Sequence, residues 1–182
     1  MPLYFAYGAN MDRDAMALRC PRSRALGRAK LARHRFIITR DGYASVLRDP
    51  RATVHGVIWD LALSDMRTLD KFEDVDRGLY AKIMQPVITE EGSRRALVYV
   101  GVNAEAGSPR AGYLEAVIAA AETWSLPPAH LLEMRRFLRS GPALHSEAKP
   151  QATVTGVQPR ASAPWTTLGK PQRASDVWSW KP

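Results

Sequence analysis

Glu73 occupies a position in this 182-residue chain that packing alone does not explain. The segment from Ser64 to about Phe72 reads as a helix, with Ser64 placed to cap it. At about 100° per residue from Met66, Leu69 falls near roughly 300°, Phe72 near roughly 240° and Glu73 near roughly 340°. Glu73 therefore lies inside the apolar stripe, whereas Asp70, Asp74, Arg67 and Lys71 fall toward the polar face. A carboxylate facing a core is costly unless paired or neutral, and burial of such a group moves it toward the range useful for proton transfer. The same spacing also fits a helix that ends before Glu73, whose side chain then turns to solvent or pairs with Arg77. The second stretch is Tyr4-Phe5-Ala6-Tyr7-Gly8-Ala9-Asn10. A strand leaving through a Gly-small-Asn turn can present successive backbone N–H groups as an anion-binding nest. It can equally be an ordinary strand exit with Gly8 at positive φ.

The elements around these residues are strand-rich first and helix-rich last. Strands are predicted over Leu3–Tyr7, Leu31–Arg40, Tyr43–Leu47, Thr53–Leu61, Tyr80–Thr89 and Arg95–Val102. Asp41-Gly42 and Glu90-Glu91-Gly92 mark two hairpin turns, and Pro86 places an edge or bulge in its strand. A short helix is expected over Asp12–Arg19. Tyr113, Val117, Ala120, Ala121 and Trp124 recur at helical spacing up to Leu126-Pro127-Pro128, and a further helix runs from about Ala129 to Arg139. This order argues an α+β class rather than an alternating parallel sheet. Residues 141–182 hold six prolines and three of the five tryptophans, Trp165, Trp178 and Trp180. They read as an extended strap whose aromatics dock on the body, since a disordered tail is poor in such residues. The expected organisation is a domain over 1–140 and a Pro/Trp-containing extension over 141–182.

Composition narrows the function classes. Hydrophobic residues make up 46% and charged residues 24% of the chain, an ordinary globular balance. A single cysteine, Cys20, excludes a disulfide scaffold and a cysteine-based zinc site, and it reads as an inert thiol. No apolar run is long enough to span a membrane and the N-terminus lacks a secretory pattern, so a cytoplasmic location is expected. The net charge of +8 is concentrated at the N-terminus, where residues 1–51 carry 11 basic and 4 acidic side chains. Arg19, Arg22, Arg24, Arg28, Lys30, Arg33 and Arg35 surround turn residues with few aromatics between them. They read as a solvated surface able to steer an anionic small molecule, and no nucleic-acid partner is expected. Dinucleotide, P-loop, nucleophile-elbow and zinc-protease motifs are missing from the sequence. The histidines at 34, 55, 130 and 145 show no ligand spacing and read as surface or packing residues. No metal and no cofactor is expected.

Taken in order, several segments resemble the gamma-glutamylcyclotransferase-like family. Tyr4–Met11 is similar to its Tyr-Phe-Ala-Tyr-Gly-Ser-Asn signature. Tyr43-Ala44-Ser45-Val46 and Val54-His55-Gly56-Val57-Ile58-Trp59 follow. Leu69–Val75 resembles a Leu-Asp-x-x-Glu-Gly-Val segment with Gly78-Leu79-Tyr80 behind it, and Ser108-Pro109 to Leu126-Pro127 resembles the family's last helix. The resemblance covers about residues 3–140. It implies a small mixed β-barrel with flanking helices and a cavity at one end. It further implies intramolecular aminoacyl transfer, in which a gamma-glutamyl amide is cyclised to 5-oxoproline with release of the amine. By the same resemblance Glu73 is the catalytic glutamate, Tyr4, Tyr7, Gly8, Ala9 and Asn10 belong to the substrate-holding segment, and Tyr113 lines the pocket. Two positions depart from the pattern: Ala9 stands where serine is usual, and Asp74 where glycine follows the glutamate. Free gamma-glutamyl amino acids, gamma-glutamylamines, glutathione and a protected antibiotic intermediate all carry the same reacting group. The reading of a different class is a non-catalytic small-ligand-binding module on the same fold.

Overall fold

The computed structural model describes residues 1–139; the expected 141–182 extension and its tryptophans lie outside the described residues. Five strands close into a barrel in the order β1-β3-β2-β4-β5. They are β1 (Leu3–Ala6), β2 (Arg24–Ile38), β3 (Ala44–Asp60), β4 (Tyr80–Thr89) and β5 (Gly92–Gly101). Neighbours are antiparallel except β1 and β5, which close the barrel in parallel through Tyr4 and Leu97. Helices α1 (Arg13–Arg19), α2 (Leu63–Phe72), α3 (Tyr113–Thr123) and α4 (Pro128–Arg139) flank it. The expected mixed barrel in an α+β chain is the fold observed. Phe5, Leu31, Phe36, Val54, Val57 and Val98 are buried in the barrel, and Leu114, Val117 and Met134 are buried on α3 and α4. No helix among the described residues is long and apolar enough to cross a membrane.

Both hairpins form where the turn residues place them. Ile38 pairs with Ala44 around the Asp41-Gly42 turn, and Thr89 pairs with Gly92. Gly42 has φ 83°, a region that glycine enters without a Cβ clash. At Gly56 the reason is space: a Cβ there would sit 2.2 Å from the Ala6 carbonyl oxygen, so glycine lets β1 lie against β3.

Three expectations are corrected. The strand predicted from Leu31 begins at Arg24, because its basic side chains alternate outward and disguise a strand as a charged loop. The separate strands Tyr43–Leu47 and Thr53–Leu61 are one, β3. Its ladder to β2 passes from Arg48 to Thr53, leaving residues 49–52 without partners in β2, so Pro50 lies where no ladder N–H is needed. Ser64 does not cap α2. Ala62 occupies that position and its carbonyl takes the Asp65 N–H at 3.0 Å. Burial of Leu61 and Ala62 after β3 fixes the helix start, which leaves Ser64 one residue inside. Pro86 faces Arg95 of β5 and lies beyond the short β2–β4 ladder, which holds only Ile88 and Thr89 of β4; the edge reading fits.

Candidate active site

β1 delivers Tyr4 and, one residue past its end, Tyr7 to one end of the barrel. The chain then bends through Gly8 into a 3-10 turn over Ala9–Met11, held by the Met11 N–H on the Gly8 carbonyl at 3.0 Å. Gly8 has φ −125°, so the positive-φ exit does not occur. What requires glycine here is proximity: a Cβ would come 3.3 Å from both the Ala44 Cβ and the Tyr113 hydroxyl oxygen. The first N–H groups of a helical turn lack acceptors within it, and the Ala9 N–H is directed at the Tyr113 hydroxyl. The Trp124 Nε1–H donates to the Met11 carbonyl at 2.7 Å, tying this turn to the end of α3.

Glu73 is the first residue past α2. Its backbone N–H still reaches the Leu69 carbonyl at 2.9 Å, while its side chain turns inward and leaves the residue 7% exposed. The sequence thus contained half of each reading: the helix has ended, yet the carboxylate faces the interior rather than solvent. Asn10 Nδ2 donates to Glu73 Oε1 at 2.8 Å and to the Tyr4 hydroxyl at 2.9 Å. Asn10 Oδ1 in turn accepts from Arg19 Nη1 at 2.6 Å. The chain leaves Glu73 through Asp74 in the left-handed region, φ 50° and ψ 42°, the conformation that glycine adopts most cheaply after a helix.

A small cavity opens beside this carboxylate, and all seven residues expected at the site line it: Tyr4, Tyr7, Gly8, Ala9, Asn10, Glu73 and Tyr113. Ala44, Phe72, Tyr80 and Tyr99 complete the wall. The phenols are tied to backbone or to carboxylate. The Tyr7 hydroxyl donates to the Tyr99 carbonyl at 2.5 Å, that of Tyr80 to the Ala44 carbonyl at 2.6 Å, and that of Tyr99 to Asp70 at 2.6 Å. The Ala44 N–H donates to the Tyr113 hydroxyl at 3.2 Å. Burial pushes all five phenols up, with the negative charge of Glu73 acting in the same direction on each. At neutral pH they are uncharged hydrogen-bonding groups around one carboxylate.

Tyr80 and Tyr99, which line the cavity, and Arg19, which holds Asn10, are the candidate-site residues that sequence reasoning missed. Inward tyrosines on strands look like core aromatics until the barrel closes around a cavity. Arg19 was read as part of the solvated basic run, whereas its guanidinium lies 3.8 Å from the centroid of the Phe72 ring. Asp65 was missed for the same reason as Ser64 was misplaced. It is buried in the first turn of α2 and accepts from the Arg22 N–H at 2.9 Å and the Ser23 hydroxyl at 2.8 Å, clipping the chain just past α1 onto α2. Burial pushes the Cys20 thiol up to about 12, consistent with the inert reading.

A model of the AIG2-like family matches residues 53–133. Bovine gamma-glutamylcyclotransferase is 30% identical over 149 residues, an alignment covering 76% of this chain and 77% of the bovine protein. The chain belongs to the gamma-glutamylcyclotransferase-like family. Human gamma-glutamylcyclotransferase is 29% identical over 136 residues, 69% of this chain and 72% of the human protein. A solved structure named gamma-glutamyl cyclotransferase shares the fold, with a TM-score of 0.69 at 24% identity over 82% of this chain and 93% of that one. Within this gamma-glutamylcyclotransferase-like chain, the span matched by the AIG2-like model contains Glu73, Tyr80, Tyr99 and Tyr113. Tyr4–Asn10 and Arg19 precede it.

Proposed function

We propose that this chain cyclises a gamma-glutamyl amide, releasing 5-oxoproline and the free amine, with Glu73 as general acid and base. The observation that carries this reading is the placement of the Glu73 carboxylate: buried, held on one oxygen by Asn10, and facing a cavity whose other polar groups are mostly neutral phenols. The substrate brings its own nucleophile. Its α-amine lies within five-membered-ring reach of the γ-carbonyl, so the protein needs only to hold the chain bent and to move protons. Glu73 takes a proton from the α-ammonium; the nitrogen attacks the γ-carbon and forms the ring C–N bond. The bond to the departing nitrogen then breaks as Glu73 returns the proton to it, and the second proton lost by the ring nitrogen passes to the released amine, which leaves as an ammonium. Water is not consumed. The Ala9–Asn10 end of the 3-10 turn and the neutral phenols are the groups that orient the substrate's carboxylate and carbonyl oxygens.

The test is 5-oxoproline release over a panel of gamma-glutamyl amides, with Glu73→Gln alongside. Wild type is expected to form product and to rank the amines. A general base contributes ~10²–10⁴-fold, and Glu73→Gln is expected to lose about that much turnover. Equal turnover in the variant overturns the role of Glu73. Binding without product across the panel would make the chain a ligand-binding module instead.

A further inference from the structure

We infer that Arg19 is a positioning residue for Glu73, acting through the side-chain amide of Asn10. This rests on the reading of Glu73 above. The side-chain amide of Asn10 has one end that accepts and one that donates. Asn10 is 3% exposed, so its orientation is fixed by protein neighbours. Its Nδ2 faces two oxygens, those of Glu73 and Tyr4, and its Oδ1 faces one guanidinium nitrogen. Flipped by half a turn, the amide would set its oxygen against the carboxylate and its NH2 against the cation. Both contacts would then be repulsive. Arg19 and Glu73 together therefore admit one orientation, the one in which Asn10 grips Oε1.

Arg19 is itself held at both ends. Its guanidinium stacks on Phe72, the residue immediately before Glu73, while Nη1 reaches Asn10. A planar cation can stack and direct an N–H at once, which an ammonium cannot. Its backbone closes α1, and three residues further on Asp65 clips the chain to the first turn of α2. The two helices that supply Arg19 and lead into Glu73 are thus fixed relative to each other at one end by Asp65 and at the other by this stack. Arg19 does not line the cavity, so its effect on a bound substrate passes through Asn10 and through the field its charge sets at Glu73 and Tyr4.

Three variants test this: Arg19→Met, Asn10→Ala and the double substitution, with Arg19→Lys as the conservative control. Arg19→Met is expected to lower kcat roughly 10- to 100-fold, the scale of a misplaced reacting group, with KM within about twofold of wild type. Because both residues act on one contact, the double variant is expected to be no slower than Asn10→Ala alone. Arg19→Lys, which can still donate to Oδ1, is expected to recover part of the loss. A raised KM with unchanged kcat, or losses that multiply in the double variant, would overturn the proposal in favour of direct substrate contact. A readout independent of turnover is the side-chain amide resonance pair of Asn10 in a nitrogen-15 spectrum. Two exchange-protected signals displaced from the positions of a free asparagine amide are expected in wild type, and signals nearer the free positions with faster solvent exchange in Arg19→Met. If that change occurs in a protein that makes no 5-oxoproline, the reaction is wrong and the positioning stands; if the signals are unaltered, the positioning is wrong.

Discussion

Glu73 and His130 are buried to nearly the same degree, 7% and 4% exposed, in opposite surroundings. Glu73 has a donor on its carboxylate and open space beside it. His130, on α4, lies among the rings of Phe36 and His55, with centroids 6.3 and 5.3 Å away. Its ring nitrogens meet no side-chain hydrogen-bond partner among the described residues, the backbone of His55 lies within reach, and the carboxylate of Glu133 is 3.7 Å from Nδ1. Burial, helped by His55, pushes His130 down to about 4, so the ring is neutral and serves as packing. An ionisable group out of water is thus not in itself a sign of chemistry. What sets Glu73 apart is a hydrogen-bond donor on its carboxylate and a cavity beside it.

The sharpest way to break this contrast is to remove each group in turn. Glu73→Gln is expected to lose ~10²–10⁴-fold in turnover while unfolding at nearly the wild-type temperature. His130→Leu is expected to keep kcat within about twofold, since it touches no cavity wall. A catalytic loss in the histidine variant comparable to that of Glu73→Gln would erase the distinction. The second test is pH. His130 binds a proton in the unfolded chain near pH 6.5 but in the folded one only near 4. Folding stability is therefore expected to fall as pH drops from about 6.5 to about 4, by up to about 3 kcal/mol, and to level off below. Glu133, pushed up by burial, works the other way, so the effect is read as the difference between wild type and His130→Leu in denaturant titrations. Matching pH profiles would show that the imidazole takes no part.

Two smaller effects bear on the end of the barrel that holds Glu73. Asp65→Ala strands the Arg22 N–H and the Ser23 hydroxyl beneath α2, and a loss of about 2 kcal/mol is expected in denaturant unfolding. The accompanying loss of turnover should exceed that of His130→Leu, because Arg19 and Glu73 lie on the helices Asp65 joins. Asp74→Gly relieves a left-handed conformation and is expected to stabilise by up to about 1 kcal/mol. A destabilised Asp74→Gly protein would show that the aspartate carboxylate contributes more than its backbone strain removes.

The candidate site was more legible in the sequence than the rest of the fold because its signals are local. Glu73 follows an apolar stripe by one residue, and Tyr4–Asn10 is a strand with its exit written beside it. Arg19 was hidden by its company: in a run of arginines, which one stacks on an aromatic ring from another helix depends on contacts 53 positions apart. Tyr80 and Tyr99 alternate as any half-buried strand residues do, and alternation cannot distinguish a packed interior from a cavity wall. The start of α2 was misread because a serine is a plausible cap on its own, while the burial of Leu61 and Ala62 that overrides it belongs to the tertiary structure.

The bond from Trp124 to the Met11 carbonyl spans 113 residues, and that from Tyr7 to the Tyr99 carbonyl spans 92. The part of the molecule made first is therefore finished last. During synthesis at about 5–20 residues per second, the turn beyond β1 waits roughly 6 to 23 seconds before its tether to α3 even exists. Throughout that interval Tyr4-Phe5-Ala6-Tyr7 is an aromatic strand with no completed barrel to enter, the kind of segment that nascent-chain chaperones shield. A protein assembled in this order completes the wall of its candidate site only after β5 and α3 have been made.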